Sequence, residues 1–231
     1  MNTSITVVSV IITVSFVLLL LSFIGRKNDK KAPKKKKNKD RGTIIREATK
    51  RLSQNPRDPE GLSAMGNLHY LEQTWDKAYA AYEILINLAP SHQKIDEFEC
   101  ALRLGVSAVK TNRIQEAVKA FIQARKLQPN HFEVNYNLGY ICYLQKDYEK
   151  AIPYLRQSLL VETENVLALR YMGFSLHKAH RYREALSYLK KAIDLQPDDK
   201  EALFAMAECL YESGATDRAL KIFTHLRPDP A

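Results

Sequence analysis

NLGYICYLQKDYEKAIPYL, residues 137–155, holds a Leu-Gly pair at Leu138 and Gly139, an alanine at Ala151 and four tyrosines, with no recognisable nucleophile, metal ligand set or phosphate loop. Stepping 34 residues in either direction recovers its small residues. Gly105, Gly139, Gly173 and Ala207 form one series with that spacing, and Ala117, Ala151, Ala185 and Ala219 form a second. Two series in phase indicate a repeat array. Met65, Leu104, Leu138, Met172 and Met206 precede the small residue, while Tyr82, Phe121, Leu155, Leu189 and Phe223 follow the alanine by four. Pro90, Pro129 and Pro197 close three of the units, where a proline ends one helix before the next begins.

Each unit reads as two helices, with the small residues where they cross. Glycine is disfavoured in a helix interior by about 1 kcal/mol relative to alanine, so in-phase glycines imply close approach of backbones. The pattern resembles the tetratricopeptide repeat family, whose L-G and A-x3-F/L/Y signatures stand here as LG at 104–105 and 138–139, AVKAF at 117–121 and ALKIF at 219–223. The resemblance covers residues 59–231. It implies an all-α, right-handed α-solenoid of about five helix-turn-helix units at 59–92, 98–131, 132–165, 166–199 and 200–231. The first interval, Gly66 to Gly105, is 39 residues, leaving a five-residue insertion around SHQKI. A further amphipathic helix over 43–57 is expected to cap the first unit. At the other end Leu220, Phe223 and Leu226 are expected to need a cover, supplied by more chain or by a partner.

On this register Tyr148 and Tyr154 are packing residues, whereas Tyr140 and Tyr143 share with Asn137 a face distinct from the inward Leu138, Gly139 and Cys142 face. In the family it resembles, that first-helix face lines a concave groove. The same positions give Asn67 and Tyr70 in the first unit, Arg103 in the second, Arg170, Tyr171 and Phe174 in the fourth, and Phe204 and Tyr211 in the fifth. Aromatic residues there offer rigid apolar area with polar tips, suited to a peptide. The chaperone-carboxylate clamp of some family members is disfavoured: Asn67, Arg103 and Asn137 remain, but Ser63 and Glu133 stand at the other positions and the lysines are missing.

The net charge of +9 is concentrated in one segment: residues 26–41 contain ten Lys or Arg against two Asp. Before it lies ITVVSVIITVSFVLLLLSFI, Ile5 to Ile24, uncharged and long enough to span a bilayer of about 30 Å. Residues 1–25 therefore read as an uncleaved transmembrane anchor, residues 26–42 as a solvated basic linker near anionic lipid, and the repeats as cytoplasmic by the positive-inside rule. Nucleic acid is disfavoured because no aromatic residues interleave with the lysines. Cys100, Cys142 and Cys209, odd in number and far apart, suit a reducing compartment.

No catalytic motif is present, and His177 with His180 lacks a third ligand, so no enzyme activity, metal or cofactor is expected. The function read from the sequence is a membrane-anchored adaptor or scaffold that binds a protein or peptide in its groove. The alternatives are a structural subunit docking through its convex face or open end, and the N-terminal part of an enzyme with its catalytic domain beyond residue 231.

Overall fold

The computed structural model describes residues 40–226. The expected anchor, and the linker up to residue 39, lie outside the described residues. Among the described residues no helix is long and apolar enough to cross a membrane. These residues form an all-helical solenoid of eleven α-helices without a strand.

Helix α1 (Arg41–Gln54) begins inside the stretch assigned to the linker. Five hairpins follow: α2 (Pro59–Leu71) with α3 (Trp75–Leu88), α4 (Glu97–Lys110) with α5 (Ile114–Leu127), α6 (Phe132–Leu144) with α7 (Tyr148–Val161), α8 (Val166–Lys178) with α9 (Tyr182–Leu195), and α10 (Lys200–Glu212) with α11 (Thr216–Leu226). Four first helices start on a capping carboxylate or amide: Asp58, Asp96, Asn165 and Asp199 accept from the backbone N–H three residues on, at 2.7–3.1 Å. Helix α1 covers the first unit by setting Leu52 against Gly61, where an added Cβ would lie 3.0 Å from Leu52 Cγ. The insertion forms a short 3-10 turn, Ala89–Ser91, and Lys94 beyond it pairs with Glu60 at 3.6 Å.

Gly105, Gly139 and Gly173 lie at helix crossings, with the close neighbour being the bulky residue four past the alanine. A Cβ on Gly105 would meet Phe121 at 2.7 Å, and on Gly139 and Gly173 it would meet Leu155 and Leu189 at 2.6 Å. The fifth unit differs. Ala207 is fully buried where the others have glycine, and Phe223, the counterpart of Leu189, packs edge-on against Phe204 with centroids 5.5 Å apart.

A second periodicity is carried by backbone alone. Gln73, Asn112, Lys146, His180 and Gly214 each hold a positive φ, between 56° and 85°, at the turn between the two helices of their unit. The residue after each donates back five positions into the first helix, as Asp147 does to Cys142 at 2.9 Å. This left-handed closure satisfies terminal carbonyls and reverses the chain.

Candidate functional site: the first-helix face

The residues expected to line the groove divide into a polar group at the first two units and an aromatic group at the last three. In the polar group, Asn67 Oδ1 accepts from Tyr82 Oη at 2.7 Å and from Arg103 Nη1 at 2.5 Å. Arg103 also donates through Nε to Glu99 at 2.5 Å and lies over the Tyr70 ring, 5.2 Å from its centroid. Tyr70 packs edge-on against Trp75 at 5.4 Å, and burial pushes its hydroxyl up to about 12. The structure thus brings Asn67, Tyr70 and Arg103 together, beside a cavity of about 450 Å³ between α2 and α4. Tyr82 completes the cluster from the second helix. In the sequence it stands only as the residue four past the second-helix alanine, a phase that says nothing of where its hydroxyl ends.

In the aromatic group, Tyr140 of α6 and Tyr171 of α8 have ring centroids 4.7 Å apart; Tyr143 lies 5.2 Å from Tyr171 and 6.2 Å from Phe174. Phe132 and Tyr136, spaced by four on α6, extend the row with nearly parallel rings. They were missed by the sequence reading, although an i, i+4, i+8 aromatic series on one helix signals such a row. The rings are only half exposed, so Tyr140, Tyr143 and Tyr171 carry the packing between units as well as presenting a surface. Burial pushes the Tyr136 hydroxyl up to about 12 and raises that of Tyr171 as well. Phe174 is buried.

Arg170 sits over Phe174 at 5.2 Å, and its guanidinium is directed to Asp199 at 3.2 Å and to Glu201, both at the start of α10. Asp199 therefore caps α10 with one oxygen and pairs with Arg170 through the other. Asn137 donates to the carbonyl of Glu133 within its own helix at 2.8 Å. Glu133 is held above the usual carboxylate range chiefly by burial.

Phe204 and Tyr211 of α10 are the exposed members of the set, at 49% and 58% of full exposure. Phe204 stands between two adjoining cavities. One, of about 380 Å³, lies between α8 and α10 and includes Tyr143 and Phe174; the other, of about 600 Å³, includes Tyr182, Tyr211 and Phe223. Both are walled by His177 and Glu208, whose Nε2 and Oε2 are 3.4 Å apart. Burial lowers the His177 pKa. His180 is exposed and bonds to the Tyr182 hydroxyl at 2.6 Å. Cys100 and Cys209 are buried thiols, pushed up to about 11 and about 12 by burial, and Cys142 is half-buried. Among the described residues no group of three His, Cys, Asp or Glu is placed to hold a metal ion.

Comparison with known proteins agrees with this architecture. Tetratricopeptide repeat profiles match residues 102–164 and 176–230. The photosystem I assembly protein Ycf3 of Acaryochloris marina is 30% identical over 151 residues, covering 64% of this chain and 83% of that protein. The peroxisomal targeting signal receptor of Candida albicans is 29% identical over 102 residues, 44% of this chain. A TPR repeat-containing protein of Methanocaldococcus jannaschii is 23% identical over 181 residues. The chain spans only 16% and 32% of the length of those last two. Among solved structures, YrrB, described as a TPR protein with an unusual peptide-binding site, superposes with a TM-score of 0.67 at 20% identity, covering 79% of this chain and 93% of that one. MamA from Desulfovibrio magneticus RS-1 does so at 0.63 and 20% identity, over 73% and 92%. With the repeat profiles, the helix-hairpin array and the Ycf3 match in agreement, the chain belongs to the tetratricopeptide repeat family.

Proposed function

We propose that this protein is a non-catalytic adaptor that holds a protein or peptide segment on the face of its first helices, with the contact centred on the aromatic surface of α6, α8 and α10. The observation that carries the reading is Phe204: a large apolar side chain, half exposed, standing between two adjoining cavities lined by further aromatic residues. Exposed aromatics in concave, partly desolvated sites are the side chains from which protein partners draw most binding energy. The names of several relatives fit such a role: a receptor for a targeting signal, an assembly protein, and a repeat protein with a peptide-binding site. We further propose that residues 5–24 anchor the chain in a membrane and that the basic run at 26–41 keeps the repeats on the cytoplasmic side near anionic lipid.

Selection of peptides from a random display library on the full chain tests the groove. Selected peptides should lose at least tenfold in affinity when Tyr143 and Phe204 are both replaced by alanine, and should be indifferent to Lys190→Ala with Lys191→Ala on the outer helix α9. Equal binding to all three proteins would overturn the reading. The anchor is tested by alkaline carbonate extraction and N-terminal sequencing: a membrane-retained chain with Ile5–Ile24 intact is expected, and a mature chain beginning near Gly25 would remove it.

A docking role for the outer edge is favoured by one observation. Leu127, Leu160, Val161 and Leu195 stand exposed at the ends of the second helices, with Leu160 at 70%. Cross-links from a captured partner to α7 and α9, in place of α8 and α10, would shift the assignment to that edge.

A further inference from the structure

We infer that the segment held on this face carries a cationic side chain beside its apolar anchor, and that Glu208 and Glu212 select for it; this rests on the groove reading above.

Along the first-helix face, Arg103 is paired with Glu99, and Arg170 with Asp199 and Glu201. Glu201 is therefore neutralised by a neighbour within the array. Glu208 and Glu212 differ. The partner of Glu208 is His177, which sits almost wholly inside the protein between α8 and α10, so that charging it is opposed by lost hydration. A neutral imidazole leaves the negative charge of Glu208 standing. Glu212, one turn further along α10, is exposed at the mouth of the same cavity. The basic wall residue of that cavity, Lys178, lies in the last turn of α8, where the helix dipole itself favours a cation.

Apart from His180, the rest of the lining is aromatic. Phe204, Tyr211, Tyr182 and Phe223 border the cavity of about 600 Å³, and the faces of such rings attract lysine or arginine electrostatically. Two carboxylates among exposed aromatic rings, open to water, suit an ammonium or guanidinium group on a flexible stem: the stem lies along the rings and the head meets the glutamates. The second cavity, separated by Phe204, is bordered by Tyr143, Phe174 and Ala205 as well as by Lys178, Lys200 and Glu201, and would take an aromatic or branched apolar side chain against its rings. The partner is thus a peptide with an apolar residue and an arginine or lysine near it in sequence.

Three fluorescein-labelled peptides, each with phenylalanine in a glycine/serine background and with arginine, glutamine or glutamate two residues on, are titrated against the full chain in mild detergent. The arginine peptide is expected to bind at least tenfold tighter than the glutamine peptide and tighter again than the glutamate one, with the ratio shrinking as salt is raised. Glu208→Gln with Glu212→Gln should abolish the ratio by weakening the arginine peptide, while Phe204→Ala should weaken all three. If all three bind alike, or the arginine preference survives the double glutamine variant, the cation selection is wrong; a retained loss on Phe204→Ala in that case shows the groove reading intact. If none binds, the inference falls, and the display selection above decides the groove reading independently.

Discussion

Leu155 occupies the space that a side chain on Gly139 would need: an added Cβ falls 2.6 Å from Leu155 Cγ and 3.1 Å from its backbone nitrogen. The backbone nitrogen cannot turn aside as a rotamer can. Gly139→Ala should therefore lose stability by about 1–2 kcal/mol, overfilling outweighing the roughly 1 kcal/mol gained in helix propensity. Gly66→Ala, whose added Cβ would stay 3.2 Å from Ala81 Cβ, should be close to neutral. Urea unfolding of both variants checks the contrast, and equal losses would refute this account of the crossing.

The left-handed turn residues make an independent test, because Lys146 is exposed and holds φ at 62°. A side chain in this conformation is strained by about 1–2 kcal/mol, part of which glycine returns as unfolded-state entropy. Lys146→Gly is expected to stabilise by about 0.5–1 kcal/mol. Gly214→Ala, at φ 85° with open space around the new methyl, should destabilise by about 1 kcal/mol. Melting curves showing the same sign for both would be incompatible with strain at these turns.

Tyr140 and Tyr171 serve packing as well as surface, so replacing both by alanine should lower stability by about 1–3 kcal/mol as well as weaken partner binding. Phe204→Ala is the cleaner probe: half exposed, it should alter the melting temperature little while reducing peptide affinity by about 2 kcal/mol. Isothermal titration on samples of verified folded fraction separates the two effects.

Protonation of His177 gives a pH signature. Burial lowers its pKa in the folded state, and Glu208 opposes this as the lesser influence. The unfolded chain then takes up the proton first as pH falls, so stability is full above about pH 6.5 and declines below it until the folded-state value is passed. His69, lowered by burial and by Lys77, adds a slope of the same sign. His177→Phe should flatten the decline between pH 7 and 5 measured by urea unfolding. A slope identical to that of the unaltered protein would assign the decline elsewhere.

The hairpin array was legible because its two determinants, the small residue at the crossing and the alanine of the second helix, are spaced in sequence as in space. What each small residue touches was less legible. Gly139 meets Leu155, whereas in the fifth unit Ala207 is buried and Phe223 packs against Phe204, and that distinction depends on rotamers across two helices. The positive-φ turns were nearly silent, since glycine marks them only at Gly214 and the other four positions hold Gln, Asn, Lys and His. Among the groove candidates, the helical register placed each on its helix but not the commitments of their polar ends. Arg103 and Arg170 answer carboxylates within the array because their long side chains reach neighbouring turns and units, a distance that periodicity along one helix does not encode.

The row of rings between α6 and α8 has a mechanical consequence. Its rings meet at a tilt, 58° and 57° for Tyr171 against Tyr140 and Tyr143, through apolar contact, whereas Arg170 reaches Asp199 and Glu201 on the far side of α8 through charge. On this face the joint between α6 and α8 is therefore held by ring contact, and the joint between α8 and α10 by charge as well, so added salt acts on the second and spares the first. A guest entering beside Phe204 meets the charged joint, because Phe204 shares its cavity with Glu201 and Glu208 of the same helix.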